Sequence, residues 1–478
     1  MKPTAGQRRL SVAIVVRDAA EALRATLDNV RSTAQEVVVI DTGSTDDTRE
    51  VAGECGATVV KHAWADDFAA ARNAGWRAAT GDWILWLDAG EQLVDANCWR
   101  EFLDHQAYAK AAHAVLVQVP PLGPSGTVEQ IAQVRLFPRH DGLAFTGRVR
   151  ESAVPSVMPA GLYLDSAPLC IRRGVREHDP QRKSARARRN LRLAEMELRE
   201  GGRRPELFNC LGDALQTLRQ YPRAGDSFRQ ALVSSVRGSA EMLEAYYGLL
   251  TSLDDGTNRR TTQIALCTKA LEVFPLDAQL LCAMGQYLQA EAQIELAAKS
   301  YRTAAEHGQI NAAVWHVAEI HDLAAICLSH CLHKLQQESE AIVVLQAAVA
   351  RNPHSERLHR QLLDVHVQRG NVDEAVAQIE QLSASATDGD VLIQVVRAAA
   401  LAARHEWLAA ASILEAAYGA GCRDPLCLRW LGLARLHRGD LTAARAVLAE
   451  WQRLDPPNAE VARILQMASA AEADRSAA

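Results

Sequence analysis

A fixed spacing between glycine and alanine recurs in the second half of this 478-residue chain. In three places an apolar residue and a glycine precede an alanine that lies 12 residues after the glycine. The pairs are Gly212 and Ala224, Gly285 and Ala297, and Gly432 and Ala444. Ala341, Ala375 and Ala409 add a period of 34 residues. Small residues at such positions let antiparallel helices approach closely, so the spacing predicts a helical repeat array of about seven units.

The first 120 residues follow a different pattern, in which short apolar runs alternate with segments of helical spacing. The runs Leu10–Val16, Glu36–Ile40 and Trp83–Leu87 are typical of buried strands. This alternation predicts βαβ units and a mostly parallel sheet. We expect residues 120–178 to be irregular, because proline and glycine are frequent there, with strand-like pieces at Gln133–Phe137 and Leu162–Leu164. The predicted organisation is an α/β domain over 1–180, a basic helical linker over 181–204, an all-α repeat domain over 205–465 and a disordered tail over 466–478.

Composition excludes several classes of protein. A net charge of −6 and a pI near 6.2 give no reason to expect nucleic acid as a partner. The ten cysteines are scattered and lack the paired spacing of a structural zinc site, which favours a reducing compartment and predicts a cytoplasmic protein. The apolar run near the start is too short for a signal core or a membrane span.

Polar side chains follow three of the predicted strands at the point where each strand ends. Leu10–Val16 runs into Arg17, the second strand runs into Asp41 and Ser44, and the third runs into Asp88 and Glu91. Open α/β sheets bind ligands at the carboxyl ends of their strands. The sequence therefore predicts a ligand site at this edge of the sheet.

Two interpretations of Asp41 are open from the residues alone. Its carboxylate is placed to accept hydrogen bonds from the imide N–H of a uracil or from a ribose hydroxyl. The alternative is that Asp41 and Ser44 only cap the turn and the helix that follows.

The segment Asp66-Asp67-Phe68-Ala-Ala-Ala-Arg72-Asn73 carries the most specific resemblance. It resembles the Asp-Asp-Phe-Ser-Ala-Ala-Arg-Asn segment of bacterial family 2 glycosyltransferases that also bear tetratricopeptide repeats, a group related to the peptide S-glycosyltransferases. The resemblance implies a GT-A (Rossmann-like) nucleotide-sugar domain followed by a tetratricopeptide α-solenoid. It also implies that Asp41 contacts the nucleoside. Arg72 lies on a helix beside the nucleotide, where it suits a phosphate or forms a structural ion pair.

The third strand departs from the family pattern at the position of a metal ligand. Relatives read Asp-Ala-Asp-Glu, in which the first Asp touches the ribose and the second holds Mn²⁺ or Mg²⁺ on the diphosphate. This chain reads Asp88-Ala-Gly90-Glu91, so the second carboxylate is missing. We therefore expect no metal, or Mn²⁺/Mg²⁺ on Asp88 and Glu91 if one is used.

Arginines replace histidines of the family pattern at three later positions. Arg150 stands in Gly-Arg-Val-Arg-Glu151, where relatives have His, and Arg172 and Arg173 replace the histidines of an Ile-His-His segment. If these positions face the diphosphate, fixed positive charge replaces the metal in stabilising the leaving group. The predicted donor-binding residues are Arg17, Asp41, Ser44, Arg72, Asn73, Asp88, Glu91, Arg150 and Arg172.

An inverting transfer needs a base, for which the family position implies Glu151, with Asp88 as the second predicted catalytic residue. Asp165 and Glu91 are the alternative bases, and we expect His140 and His178 to be solvated. The predicted protein is a cytoplasmic, inverting hexosyltransferase that uses an NDP-sugar, UDP-sugar first, and a peptide, protein or glycan acceptor. The repeats would bind the acceptor or form a homodimer. The competing hypothesis is an inactive transferase-like domain on a protein-binding scaffold.

Overall fold

The structure is a computed structural model that describes residues 8–121, 126–174, 178–253, 259–369, 371, 373–375, 377, 389–455 and 459–467. The chain forms two compact units. The first contains residues up to Pro120, Val128–Leu280 and Ile310–Ala318, and it extends past the predicted boundary at residue 180. The second contains Pro121–Thr127, Leu281–Gln309 and the residues from Glu319 onward.

The first unit is built on a mixed sheet. Its strands are β1 (Leu10–Val16), β2 (Glu36–Asp41), β3 (Thr58–Lys61), β4 (Trp83–Asp88), β5 (Gln92–Val94), β6 (Ala111–Val119), β7 (Glu129–Pro138), β8 (Tyr163–Arg172) and β9 (His316–Val317). They follow the order β3-β2-β1-β4-β7-β6-β8-β5, and β9 pairs with β7. Helices α1 (Ala20–Val30), α2 (Thr48–Glu54), α3 (Phe68–Ala78) and α4 (Ala96–Glu101) join the strands, with a π-helical turn over Phe102–Gln106 and a short helix α5 (Val154–Val157).

The predicted parallel strands are confirmed for the first half of the sheet only. β1, β2, β3 and β4 are mutually parallel, and the apolar residues on both faces of β1 and β4 are buried, as expected for strands covered on two sides. Beyond β4 the sheet is largely antiparallel, since β7 pairs antiparallel with both β4 and β6. Residues 120–178 are more regular than expected, because the strand-like pieces Gln133–Phe137 and Leu162–Leu164 overlap β7 and β8, which are ten-residue strands.

The remaining helices form consecutive pairs. They are α6 (Pro180–Arg199), α7 (Pro205–Thr217), α8 (Tyr221–Ser234), α9 (Ala240–Ser252), α10 (Arg260–Leu271), α11 (Ala278–Ala290), α12 (Ile294–His307), α13 (Ile320–Lys334), α14 (Glu338–Arg351), α15 (Glu356–Arg369), α16 (Gly389–Ala403), α17 (Trp407–Gly419), α18 (Pro425–His437) and α19 (Leu441–Leu454). Residues 459–467 are also helical, so Gln466 and Met467 do not belong to a disordered tail, and the rest of that predicted tail lies outside the described residues.

The recurring glycines explain the close helix packing. A Cβ atom added at Gly212 would lie 2.5 Å from the Phe228 ring, and one at Gly285 would lie 2.7 Å from the Tyr301 ring. Gly432 repeats the arrangement, because its added Cβ would lie 2.6 Å from Leu448. Overpacking a core by one methyl group commonly costs 1–3 kcal/mol, roughly, so glycine is needed where these large side chains insert.

Within the described part of the chain, no helix is both long and apolar enough to cross a membrane. All ten cysteines are free thiols.

Candidate functional site

The register of the sheet brings the predicted site residues to one edge. Val16 at the end of β1 is paired with Asp41 of β2, and the preceding Val15 is paired with Asp88 of β4. Asp41 and Asp88 therefore flank the end of β1 on its two sides, and Arg17 follows β1 directly. The strand ends named from the sequence do converge.

Asp41 and Ser44 form the turn-capping arrangement. Asp41 is buried, and its Oδ1 accepts a hydrogen bond from the Ser44 backbone N–H at 3.0 Å. The Ser44 hydroxyl in turn accepts a hydrogen bond from the Asp18 backbone N–H at 3.0 Å, which ties the end of β2 to the end of β1. This network fixes the turn at the carboxyl edge of the sheet. Direct contact of Asp41 with a nucleoside stays a prediction, and Thr42 is the residue of this turn that lines the cleft.

Asp88 lies among three guanidinium groups. Arg72 Nη2 is 3.2 Å from its Oδ1, while Nη2 of Arg135 and Nη2 of Arg173 are 3.7 Å and 4.0 Å from Oδ2. Burial alone would raise the pKa of Asp88, but the charges of Arg135, Arg72 and Arg173 lower it well below its ordinary value. Asp88 is thus a fixed anion whose side chain remains 46% exposed to the cleft.

Glu91 is buried and fully engaged. Its Oε2 accepts a hydrogen bond from the Asp88 backbone N–H at 2.9 Å. Its Oε1 accepts from Arg173 Nε at 3.1 Å and from Arg135 Nη2 at 3.3 Å. Only 2% of Glu91 is exposed. A buried carboxylate held in this way is positioned as a structural partner of the two arginines.

The residues at this edge do not fit a divalent cation. Mn²⁺ and Mg²⁺ need several oxygen ligands with free lone pairs, and they repel nearby cations. Gly90 has no side chain, both oxygens of Glu91 are hydrogen-bonded, and three guanidinium groups surround Asp88. Among the described residues no group of three or more His, Cys, Asp or Glu side chains is placed to hold a metal ion.

Arg72 joins the two predicted catalytic carboxylates. Its Nε donates to Glu151 Oε1 at 2.5 Å and its Nη2 donates to Asp88 Oδ1. The guanidinium carbon lies 5.1 Å from the Trp86 ring centroid and 5.6 Å from that of Phe145, which confines it further. Burial alone would lower the pKa of Arg72, but the carboxylates of Glu151 and Asp88 raise it. Arg72 therefore fixes the distance between the two acids.

Asn73, the next residue on α3, forms hydrogen bonds with the backbone of Phe145. Its side-chain amide donates to the Phe145 carbonyl at 2.9 Å and accepts from the Phe145 N–H at 2.8 Å. Both polar atoms are thus used to hold the segment that leads to Glu151. The structure gives Asn73 a positioning role, and donor binding by its side chain stays a prediction.

The three arginines that replace family histidines have different surroundings. Arg150, which adopts a left-handed φ of 47°, pairs with Asp213 of α7 and Glu244 of α9 rather than with Asp88. Arg172, the last residue of β8, is exposed. Only Arg173 reaches Asp88 and Glu91. Arg150 nevertheless lines the smaller of the cavities beside Asp88, and contact of Arg150 or Arg172 with a diphosphate stays a prediction.

Arg135 of β7 was not among the predicted site residues. It is buried, and Nη1 donates to the Trp86 carbonyl at 3.3 Å besides the contacts with Asp88 and Glu91. A signal was present in the sequence, because an arginine in the apolar strand Gln133–Phe137 needs a buried partner. The partner could not be predicted from the sequence, because Arg135 reaches it only through the antiparallel pairing of β7 with β4.

Two adjoining cavities of about 740 Å³ and 640 Å³ lie beside Asp88. Both are lined by Arg17, Asp88, Arg173, Arg186 and Arg189. We call the two together the donor cleft. The linker helix α6 supplies one wall, so the predicted basic linker belongs to the site. Arg17 is half exposed there and pairs with Asp18 at 3.6 Å.

A further cavity of about 510 Å³ shares Arg72, Arg150 and Glu151 with the donor cleft. It is also lined by Ala240 and Glu241 of α9. We call it the second cavity. Glu151 thus faces both spaces.

The other candidate groups lie apart from Glu151. Asp165 is exposed on β8 and accepts a hydrogen bond from the Ser166 N–H. His140 accepts from the Gly142 N–H, and His178 contacts the Pro120 carbonyl.

A mixed sheet whose parallel half carries an acid–arginine cleft at its carboxyl edge, followed by paired helices, is typical of a GT-A-like domain joined to tetratricopeptide repeats. Comparison with known proteins gives the same result. Residues 11–134 match the glycosyl transferase family 2 model and residues 332–399 match a tetratricopeptide repeat model. The N-terminal segment is thus similar to glycosyltransferase family 2 over residues 11–134.

Individual relatives cover only parts of the chain. A tetratricopeptide repeat-containing protein of Synechococcus elongatus is 47% identical over 97 residues, which is 20% of this chain and 24% of that protein. An uncharacterized glycosyltransferase of Rickettsia felis is 30% identical over 105 residues, 22% of this chain and 35% of that protein. A tetratricopeptide repeat structure from Parabacteroides merdae is covered completely by 56% of this chain, with 14% identity and a TM-score of 0.39. The matched segments thus span a quarter to about a third of the two curated relatives.

Proposed function

We propose that this protein is an inverting glycosyltransferase that moves a hexose from an NDP-sugar, preferably a UDP-sugar, to a peptide, protein or glycan acceptor. The observation that carries the proposal is the Asp88–Arg72–Glu151 chain of contacts at the carboxyl edge of a family 2 domain. It holds a donor-side acid and a candidate base in one rigid arrangement between two cavities.

In this mechanism the acceptor enters from the second cavity and the donor lies in the donor cleft. Glu151 takes the proton of the acceptor hydroxyl or thiol as that atom attacks the anomeric carbon. The new glycosidic bond forms on the face opposite the leaving group, and the bond from the anomeric carbon to the phosphate oxygen breaks. The NDP leaves with that bonding electron pair.

Arg72 serves both halves of this reaction. Two of its nitrogens hold Glu151 and Asp88, and the buried Nη1 has no hydrogen-bond partner among the described residues. A buried donor without a partner costs free energy that a ligand oxygen would recover. We infer that a substrate oxygen accepts from Nη1, which keeps the base and the donor sugar in register.

We propose that the transfer proceeds without a divalent cation. Support comes from the absence of a carboxylate at Gly90, the hydrogen bonds that engage both carboxylate oxygens of Glu91 and the three cations around Asp88. Other guanidinium groups that line the donor cleft are already in place, so they can stabilise the developing negative charge without any reorganisation.

The repeats are proposed to select the acceptor. Ala240 and Glu241, at the start of α9, line the second cavity, so a repeat helix borders the space where the acceptor would meet Glu151. A protein or peptide acceptor is favoured and a bacterial surface glycan is second. Dimerisation through other repeats is compatible with this role, and the free thiols fit a cytoplasmic location.

The test is a panel of UDP-, GDP- and dTDP-hexoses incubated with the full chain. Binding would be followed by calorimetry and NDP release by a coupled assay. Binding of one donor together with slow NDP release, accelerated by an acceptor, is the expected result. If no donor binds and none is turned over, the competing hypothesis of an inactive scaffold domain replaces this proposal. In that case the missing second carboxylate, at the position of Gly90, would reflect a loss of activity.

A further inference from the structure

The charges around Asp88 cancel among themselves. Arg72, Arg135 and Arg173 are matched by three carboxylates, those of Asp88, Glu91 and Glu151, all within 4.0 Å of a guanidinium nitrogen. A nucleoside diphosphate brings two or more negative charges of its own. These arginines are already neutralised by their partners, so the diphosphate needs a different source of positive charge.

Helix α6 provides that source. Lys183, Arg186 and Arg189 recur every three residues along it, which places them along one side of a helix. All three line the larger cavity of the donor cleft, and Arg186 and Arg189 line both cavities.

Arg189 is the member whose contacts are most informative. Its Nε and Nη2 donate to the side chain of Asn190, and its guanidinium lies 4.8 Å from the Phe68 ring centroid. No carboxylate lies within ion-pair distance of it in the part of the chain that the structure describes. The Arg189 side chain is exposed at the cleft; the surrounding protein and the neighbouring charge of Arg186 lower its pKa, while Glu151 and Asp88 act in the opposite direction. A cation in this state gains strongly from an anionic ligand.

We propose that the α6 face formed by Lys183, Arg186 and Arg189 binds the diphosphate of the donor. This inference rests on the proposed function and deepens it, because it assigns the charge compensation to the helix that precedes the repeats. Stacking on Phe68 orients the fork of Arg189 before the ligand arrives, which reduces the conformational entropy that binding must overcome.

The experiment compares Arg189→Gln with Arg188→Gln in the full chain. Arg188 is the next residue on the same helix, is exposed and does not line the donor cleft, so its substitution makes the same charge change elsewhere. Binding of UDP, uridine and inorganic pyrophosphate is measured by calorimetry in the presence of EDTA, at low and high salt.

We expect Arg189→Gln to raise the Kd for UDP and for pyrophosphate by about tenfold, with little change for uridine, because one charge-assisted contact to phosphate is lost. Arg186→Gln combined with Arg189→Gln should raise it further, and high salt should shrink the difference. Arg188→Gln should match the wild type.

The outcomes separate this inference from the proposed function. If the wild-type protein binds UDP but Arg189→Gln and Arg188→Gln bind it equally well, the α6 assignment is wrong and the transferase proposal stands. If the wild-type protein binds neither UDP nor any NDP-sugar, the proposed function itself fails. Thermal unfolding of each variant shows whether a lost affinity reflects a lost fold.

Discussion

Arg72 Nε lies 2.5 Å from Glu151 Oε1, and both side chains are only 11% exposed. The same guanidinium reaches Asp88 with a second nitrogen. Helix α3, which carries Arg72, thereby couples the residue we assign as base to the acid at the end of β4. Arg72 therefore both positions the Glu151 and Asp88 side chains and compensates their negative charges.

Glu151→Gln should abolish transfer while the donor still binds. The amide cannot accept the acceptor proton, so we expect kcat to fall by about a hundredfold or more. Glu206→Gln is the matched control, because Glu206 lines the same second cavity and makes no ion pair among the described residues. Steady-state NDP release gives kcat, and UDP binding measured in parallel shows whether the donor site is intact. Activity of Glu151→Gln close to that of the control would remove Glu151 as the base.

Arg72→Met should destabilise the first unit strongly. Removing Arg72 takes away the guanidinium partner of the buried Glu151, while Asp88 keeps Arg135 and Arg173, and we expect a cost of about 3 kcal/mol in the free energy of unfolding. Arg24→Met is the control, since Arg24 pairs with Glu54 at an exposed site and its loss should change the stability far less. Urea unfolding followed by tryptophan fluorescence compares the two. Equal losses would mean that the Arg72 pairs contribute no more than surface pairs.

Gly90→Ala should destabilise the protein although there is room for a methyl group. The added Cβ would lie 3.7 Å from Ala22 Cβ, an ordinary contact, but φ at Gly90 is +97°, where side chains are strained. We expect a cost of about 1–2 kcal/mol. Gly53→Ala in α2, where nothing lies within 4 Å and φ is not positive, should instead be neutral or stabilising. The melting temperature of each variant would be compared with that of the wild type. Equal shifts in melting temperature for Gly90→Ala and Gly53→Ala would contradict the strain argument.

Restoring the family carboxylate should not restore metal use. In Gly90→Asp the new side chain meets the same backbone strain and the same arginine-rich surroundings. We therefore expect NDP release by this variant to show no stimulation by Mn²⁺. Stimulation well above that of the wild type would mean that only the missing carboxylate separates this site from a metal site.

His113 should make the first unit less stable in acid. It is buried on β6, its ring lies 5.4 Å from Trp83 and 5.1 Å from Phe102, and burial lowers its pKa below the ordinary 6.5 against a smaller opposing effect of Asp165. The unfolded chain takes up a proton as pH falls below about 6.5 while the folded chain resists it. Stability is therefore full above that pH and is lost as the pH falls further.

His113→Phe should reduce this loss. The free energy of unfolding would be compared at about pH 5 and about pH 7.5, with exposed His105→Gln as the control. A smaller difference between the two pH values in His113→Phe alone is expected. An unchanged difference would show that His113 does not contribute to the acid sensitivity.

Local patterns were sufficient to predict the first strands and the repeat helices. The strands that end at Val16, Asp41 and Asp88 are short, parallel and mostly buried. Such strands are continuous apolar runs in the sequence, so they can be recognised from hydrophobicity alone. The 12-residue spacing likewise predicted the glycine contacts, because the large partner of Gly212 comes from the next helix of the same repeat.

Long-range pairing could not be predicted in this way. Arg135 meets Asp88 only because β7 inserts antiparallel beside β4, and no local pattern records that neighbour. The sequence predicts a basic helical linker over 181–204, but the three-residue spacing of Lys183, Arg186 and Arg189 already indicates one charged helix face. The pairing of β7 with β9, which lies within the repeat region, was equally hidden.

The most direct test of the central claim is the metal dependence of NDP release. Wild-type protein stripped with EDTA would be assayed with its best NDP-sugar, first with EDTA present and then with excess Mn²⁺ or Mg²⁺. We expect a rate in EDTA within about twofold of the rate with metal, because fixed arginines stabilise the leaving diphosphate. A loss of NDP release in EDTA that Mn²⁺ restores would contradict it.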